Sequence, residues 1–351
     1  MVAGFFANKY SQFSPFAQKK KLVGWNTGNM LFRDAIHKMI ACNVIESHER
    51  IDSSKYDAFI TTDLIWLQEN VAPWEGLFAQ LRIAGDKPLI PLSIGLQANA
   101  RRADFVMHPE MVKYMKTLQE RARLAVRGTY TADILNRFGI TNVEVFGCPS
   151  VYQFPLYHNS LSFLLAPAPS EIRGTANFRT FRGALTDLEK SYLEYVTKNF
   201  RGFAEQTFDP LRDVEGVWDG LIDWMQLNSY AFFDLDTWRR YNMRYNFSMG
   251  CRFHGNVAAM LAGMRALFLV VDSRTYEMTE FLKLPAQPFT SFDAGKSLND
   301  YYELADYGDF VRAYPERLKH FTEFASKCGL QFSAPYQKAL ADFAKASAAT
   351  A

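Results

Sequence analysis

The stretch that most constrains this chain is residues 249–277, MGCRFHGNVAAMLAGMRALFLVVDSRTYE. Gly250, Arg252, His254 and Gly255 crowd together at its start, and a small-residue helix is expected over about residues 256–263. Gly263 then turns the chain into the apolar run 266–271, which stops at Asp272, Arg274 and Glu277. Helix N-termini present unpaired N–H groups and a partial positive charge, and ligands of open α/β sheets sit at the carboxyl ends of the strands. A cation and a titratable imidazole at such a helix mouth, with polar residues at the end of the next strand, is the layout of an anion site.

The remainder of the chain repeats short apolar runs that end in glycine turns. Residues 21–25 read as a strand that delivers Asn26, Thr27, Gly28 and Asn29 into a turn before a helix over 31–40. Asn26 and Asn29 either face a ligand at that helix mouth or only cap the helix and shape the turn. Further strands are expected at 56–61, 88–94, 124–126 and 143–146, with helices over 110–121 and 129–138, the latter opened by a capping threonine, Thr129. Asp63 follows the strand at 56–61 into a loop that reaches Trp66. Arg127, at a strand end just ahead of a helix, either recognises an anion through a guanidinium that keeps its proton or makes an ordinary surface ion pair. This alternation predicts a parallel sheet covered on both faces.

Periodicity lapses over 151–159, and a strand at 162–166 is expected to open a second half on the same scheme. That half holds helices over 187–199 and 217–227, a strand or loop over 203–208, and an aromatic run at 231–233. Residues 238–247, WRRYNMRYNF, read as a helix with aromatics inward and arginines in water, the alternative being a basic aromatic surface for stacking on sugars or bases. Helices around 306–325 and at the C-terminus complete the chain. The expected division is 1–155, 156–285 and a helical tail, 286–351, that packs back on the first domain.

Composition fits this division. A chain of 351 residues, 48% hydrophobic and 15% aromatic, is longer than the roughly 100–200 residues of one domain, so two domains and a cleft are expected. Net charge is +2, with no basic block longer than Lys19, Lys20 and Lys21, so no nucleic-acid partner is expected. Cys42, Cys148, Cys251 and Cys328 are far apart without CxxC spacing, which predicts neither a metal site nor a disulfide framework and fits a reducing, cytoplasmic compartment. The first residues show no charged head followed by an apolar segment, so no secretory leader is expected, and no apolar run approaches the roughly 18 residues of a membrane span. A soluble protein is expected, free to rest at the inner face of the cell membrane. No GxxxxGKS phosphate loop is present.

At this point the residues carry a resemblance. The run SMGCRFHGNVAAMLAGMRALFLVVDSRTYE resembles the C-terminal signature of the polysaccharide pyruvyl transferase family, whose members show Gly-x-Arg-aliphatic-His-Gly, a small-residue helix, a strand, and an Asp with a basic residue two positions on. NTGNMLFRDAI, KPLIPLSIGLQA and LAVRGTYTADILNRFGI followed by VEVFGCPS agree in order and spacing, so the resemblance covers about residues 22–285. The chain departs from the pattern at Thr61, Thr62 and Asp63, where a Gly-Gly pair is common, at Cys148, where Asp-Pro is common, and at Phe253, where leucine is commoner.

The resemblance implies an α/β fold of two Rossmann-like parallel-sheet domains facing a cleft, like that of GT-B glycosyltransferases. The first domain would take the acceptor and the second the donor. It implies transfer of pyruvate from phosphoenolpyruvate, as a ketal, onto two hydroxyls of a sugar or lipid-linked oligosaccharide. Arg127 and Arg252 would each bind one anionic group bidentately, with His254 as the acid, helped by Gly255 and Asn256 at the helix start. Asp63, Asp272 and Glu277 are the candidates for the base; Asp272, Arg274 and Glu277 otherwise form a local ion-pair cluster. The donor is a substrate, and no cofactor or metal is implied. Two alternatives share the fold: a glycosyltransferase using a nucleotide sugar, and a non-catalytic member of a polysaccharide assembly complex.

Overall fold

Eight short strands build the first half of the chain: β1 (Ala3–Phe6), β2 (Cys42–Ile45), β3 (Ala58–Thr61), β4 (Leu67–Gln68), β5 (Leu89–Pro91), β6 (Leu96–Gln97), β7 (Leu124–Val126) and β8 (Val143–Val145). The main sheet has the order β2-β1-β3-β5, all parallel, and a bridge between Ile94 and Val126 joins it to the β7-β8 pair. Strands β4 and β6 pair separately. The connecting helices are α1 (Phe16–Leu22), α2 (Asn29–Met39), α3 (Glu75–Ala84), α4 (Pro109–Arg121) and α5 (Thr129–Arg137). This computed structural model describes residues 2–8, 14–46, 51–65, 67–98, 100–157, 160–180, 183–207, 211 and 213–350, without the side chains of 347–350; Trp66, Asn159 and Phe208 lie outside them.

The second half carries a six-stranded parallel sheet of order β11-β10-β9-β12-β13-β14, formed by β9 (Gly174–Asn177), β10 (Phe200–Glu205), β11 (Ser229–Ala231), β12 (Phe247–Gly250), β13 (Arg265–Val270) and β14 (Ala286–Pro288). Its helices are α6 (Ser160–Phe163), α7 (Asp187–Asn199), α8 (Asp219–Asn228), α9 (Leu235–Asn242), α10 (Phe253–Leu261) and α11 (Ser273–Leu282). Successive strand residues point to opposite faces. On β1, Phe5 therefore joins the apolar cluster shared by both halves while Phe6 joins the cluster on the outer face of the first sheet, and Ile60 and Phe59 on β3 divide the same way.

The tail is α12 (Leu298–Leu304), α13 (Gly308–Lys327) and α14 (Ala334–Thr350). Tyr307, just before α13, exchanges hydrogen bonds with the backbone of Ala266 in the second sheet. Phe321 on α13 then stacks on Tyr152 at 4.6 Å, Phe332 bridges Ile40, and Tyr336 donates to the Tyr152 carbonyl at 2.7 Å. The tail therefore runs from the second sheet back onto the first half.

Four expectations need correction. Residues 21–25 are no strand: α1 runs to Leu22 with three lysines near its C-terminus, where cations suit the helix dipole, and the strand lies earlier, at β1. Residues 162–166 form the short helix α6 and the turn after it; the strand is β9, whose sequence GTAN lacks an apolar run because Gly174 makes room for the Phe200 ring and Asn177 is given to hydrogen bonds. A Cβ on Gly250 would lie 1.8 Å from the carbonyl oxygen of Asn177. Helix α10 begins at Phe253, ahead of the expected 256. Thr129 does not cap α5; the cap comes from the other domain, as described below. In α9, Trp238 and Tyr241 are buried, as the inward-aromatic reading expects.

Candidate functional site

The carboxyl ends of β7, β10, β12 and β13 converge with the N-termini of α2, α10 and α11 on a cavity of about 70 Å³. Asn26, Asn29, Arg127, Arg252, His254, Asp272 and Arg274 line it together with Gln206. The cations come from both halves of the chain.

Arg127 follows β7 and is 2% exposed. Its Nε donates to the carbonyl and the hydroxyl of Ser93, at 3.1 and 3.0 Å, and Ser93 adopts a left-handed φ of 68°. Its Nη2 is buried without a hydrogen-bond partner. Burial first, and then the Arg274 charge, push its pKa down to about 10. Arg252 occupies the cap position of α10: its N–H donates to Asn177 Oδ1 at 2.7 Å and its Nη2 to Asn26 Oδ1 at 2.9 Å. Burial, then the neighbouring Arg179 and Arg274, bring its pKa to about 10. Arg274, in the first turn of α11, donates to Asp272 at 3.1 Å while its Nε is buried without a partner. Among the described residues these three guanidiniums share one carboxylate contact, and a second anion near them would relieve the surplus charge.

His254 stands half-buried in the first turn of α10. Its ring packs on Phe32 and Phe253, and its Nε2 lies 3.4 Å from the buried Cys148 Sγ, which is 3.1 Å from Ser150 Oγ. Burial, with Arg127, Arg274 and Arg252 nearby, holds its pKa well below the ordinary value, so the imidazole is neutral at pH 7. By helix geometry the first-turn N–H groups beside it, at 253–255, have no partner inside the helix.

Asp272 N-caps α11, accepting from Thr275 N at 2.8 Å. Burial opposes its charge, but Arg274 and Thr275 outweigh that and hold its pKa below the usual carboxylate range. It is a poor proton acceptor. Asn26 Oδ1 also accepts from Gly28 N at 3.0 Å, and Asn29 Nδ2 donates to the Val23 carbonyl at 3.0 Å. Both asparagines therefore shape the turn and line the cavity.

Four expected positions lie elsewhere. Asn256 sits beneath the floor, tied to Asn177, Ser248 and Gly250, and Gly255 is buried where a Cβ would meet Gln206 at 2.6 Å. Asp63 accepts from Gln80 at 2.7 Å with Arg33 at 3.9 Å, and does not line the cavity. Glu277 caps α5 across the domain seam: its carboxylate accepts from Thr131 N at 2.9 Å and from Thr131 Oγ1 at 2.7 Å. A Cβ on Gly128 would lie 2.5 Å from Glu277 Cβ, so glycine is what lets the two helices meet.

Residues not anticipated from sequence include Ser93, Gln206 and Glu205. Glu205 ends β10; burial raises its pKa, against its bonds from Thr207 and the Arg252 charge, and its Oε2 is buried without a hydrogen bond. The strand-end rule would have found this pair had the end of β10 been placed. Among the described residues no group of three or more His, Cys, Asp or Glu is arranged to hold a metal, and no helix is long and apolar enough to cross a membrane.

Fold and site together define a two-domain parallel α/β protein with a small, strongly cationic pocket where its halves meet. Its family follows from its sequence: a profile described as polysaccharide pyruvyl transferase matches residues 26–273, and the chain belongs to that family of transferases. No curated protein matches it. Among solved structures, a functionally uncharacterized Klebsiella pneumoniae protein aligns at 14% identity over 80% of this chain and 87% of its own, TM-score 0.42. The wall teichoic acid polymerase TagF aligns at 11% identity over 92% of this chain and 83% of its own, TM-score 0.42. UDP-GlcNAc 2-epimerase of Methanocaldococcus jannaschii aligns at 10% identity over 91% and 93%, TM-score 0.43.

Proposed function

We propose that the protein takes pyruvate from phosphoenolpyruvate and sets it as a ketal across two hydroxyls of one sugar in a polysaccharide or its precursor. The observation that carries this reading is the cluster of Arg127, Arg252 and Arg274 around His254 in one small cavity lined by both halves of the chain. Phosphoenolpyruvate presents a phosphate and a carboxylate close together, and guanidiniums bind such groups bidentately.

In the reaction, the methylene carbon gains a proton and C2 is attacked by the first acceptor hydroxyl. Phosphate leaves, and the second hydroxyl closes the ring. Of the two hydroxyl protons, one balances the new methyl group and the other departs with phosphate. His254 delivers the proton to carbon. The incoming polyanion offsets the arginines that lower the His254 pKa, which favours the charged ring the proton transfer needs. Arg127 and Arg252 hold the two anionic groups and stabilise the leaving phosphate. The chemistry as written needs no cofactor. With its cysteines free, the protein is suited to the reducing cytoplasm, where it would meet a free or lipid-linked acceptor.

Thermal unfolding with phosphoenolpyruvate, nucleotide sugars and inorganic phosphate tests the donor. A ligand at about 100 times its Kd adds roughly 2.7 kcal/mol. A shift specific to phosphoenolpyruvate and lost in Arg252→Ala is expected, as is loss of transfer in His254→Ala with the fold intact. A shift with a nucleotide sugar alone would make the protein a glycosyltransferase, and wild-type transfer in both variants would overturn the site.

A further inference from the structure

A second, larger cavity of about 660 Å³ opens beside the cationic pocket. The first domain supplies the end of β1 and the outer face of α2; the second supplies residues 233–236. The partition between the two cavities is thin. Val23 lines the larger one, Asn29 lines the smaller, and Asn29 Nδ2 donates to the Val23 carbonyl at 3.0 Å.

The two cavities differ in charge. In the larger one Arg33, Lys38 and the titratable His37 face three carboxylates, Asp34, Asp234 and Asp236, with Lys38 paired to Asp34 at 2.9 Å. Asp234 is also committed to capping α9 through Thr237 N, which leaves the exposed Asp236 facing the opening. Among the described lining residues there is no surplus of positive charge for a phosphate or a nucleotide, in contrast to the neighbouring pocket. The floor is apolar, formed by Phe5, Met30 and Phe233. Phe233 is held from behind by an edge contact with Phe16 at 5.6 Å and by Lys19 Nζ at 5.5 Å. Carboxylates that accept paired hydroxyls, set round an apolar surface able to take the C–H face of a pyranose, match a neutral sugar. The volume lies within the roughly 300–1,000 Å³ range of ligand sites.

We propose that this interdomain cavity is a glycan subsite that holds a neutral sugar of the acceptor, next to the one whose hydroxyls react. The assignment rests on the pyruvyl-transfer reading, since it is the acceptor of that reaction that would extend from the small pocket into the large one. Held on the far side of Val23 and Asn29, this sugar does not occupy the phosphoenolpyruvate pocket, while the neighbouring, reacting sugar reaches over that edge.

Saturation-transfer NMR of the full chain tests this, with methyl glycosides and p-nitrophenyl disaccharides as probes, UDP-glucose as the charged control, and Phe233→Ala and Asp236→Ala as variants. At least one neutral glycoside is expected to bind, and to bind roughly tenfold more weakly in each variant, as for loss of one good contact. The phosphoenolpyruvate-dependent thermal shift should be unchanged in both. Binding of no glycoside, binding untouched by both variants, or preference for UDP-glucose would overturn the subsite. A wild-type protein that binds glycosides through Phe233 but shows no phosphoenolpyruvate shift would instead refute the donor and leave the sugar site standing.

Discussion

Cys148 stands 3.4 Å from His254 Nε2, and a thiol at that place does little to charge an imidazole already disfavoured by burial and three arginines. A carboxylate there would act oppositely, since an anion within about 4–6 Å favours the charged ring. Cys148→Asp is therefore expected to raise the His254 pKa by about one unit or more. NMR titration of the imidazole would read this directly, and an unmoved titration would show that the pair is not coupled. Arg252 and His254 could be found from sequence because the signature fixes them at a strand end and helix start. Glu277 could not be placed so: the same signature holds it, but its partner, Thr131, is 146 residues away and belongs to another helix. Asp63 looked available only because the Gln80 that holds it lies 17 residues on, on α3.

Among the elements, the β9–β12 junction decides whether the pocket forms. Asn177 Oδ1 accepts the Arg252 N–H and its Nδ2 donates to Asn256 Oδ1 at 2.8 Å, so the end of β9 sets the start of α10. Gly250 passes so close to Asn177 that a Cβ has no place. Gly250→Ala is expected to cost about 1–3 kcal/mol or more through forced backbone shifts, measured by urea unfolding, and to weaken phosphoenolpyruvate binding beyond the stability loss. An unchanged midpoint would mean the strands separate easily. Helices α2, α4, α5, α7, α8, α10 and α13 and strands β3, β5, β7, β8 and β13 were legible in the sequence from their periodicity, whereas α3, α11, α12 and β2 were not placed. Strand β9 was not, because Gly174 makes room for the Phe200 ring and Asn177 serves hydrogen bonds, which leaves no apolar run, and β1 was passed over for the apolar residues that end α1.

At the scale of the molecule, α11 stitches the halves together. Ser273 Oγ donates to the Leu96 carbonyl at 2.9 Å, Ser273 N donates to the Ala98 carbonyl at 3.0 Å, and Glu277 completes the seam at Thr131. Burial raises the Glu277 pKa to about 7, against the pull of Thr131, Arg127 and Arg101. Its folded pKa lies above the unfolded value of about 4.3, so its contribution is fully present at low pH and is lost as pH rises through about 7. In Glu277→Gln that loss is absent. The melting temperatures of the two proteins should lie closest at about pH 4 and separate as pH rises from about 4.3 to about 7, the wild type falling relative to the variant, with little further change above that; His254 is common to both. Parallel curves would place the ionised carboxylate at no cost in the seam.

Because Arg127 is delivered by the first domain and Arg252 and Arg274 by the second, neither half owns the anion pocket. Glu277 and Ser273 bind the halves at the same place. In lineages that share this architecture, the two domains would then have to change in concert: a recombination event that joins one half to a foreign partner breaks the charge cluster and the seam at one stroke.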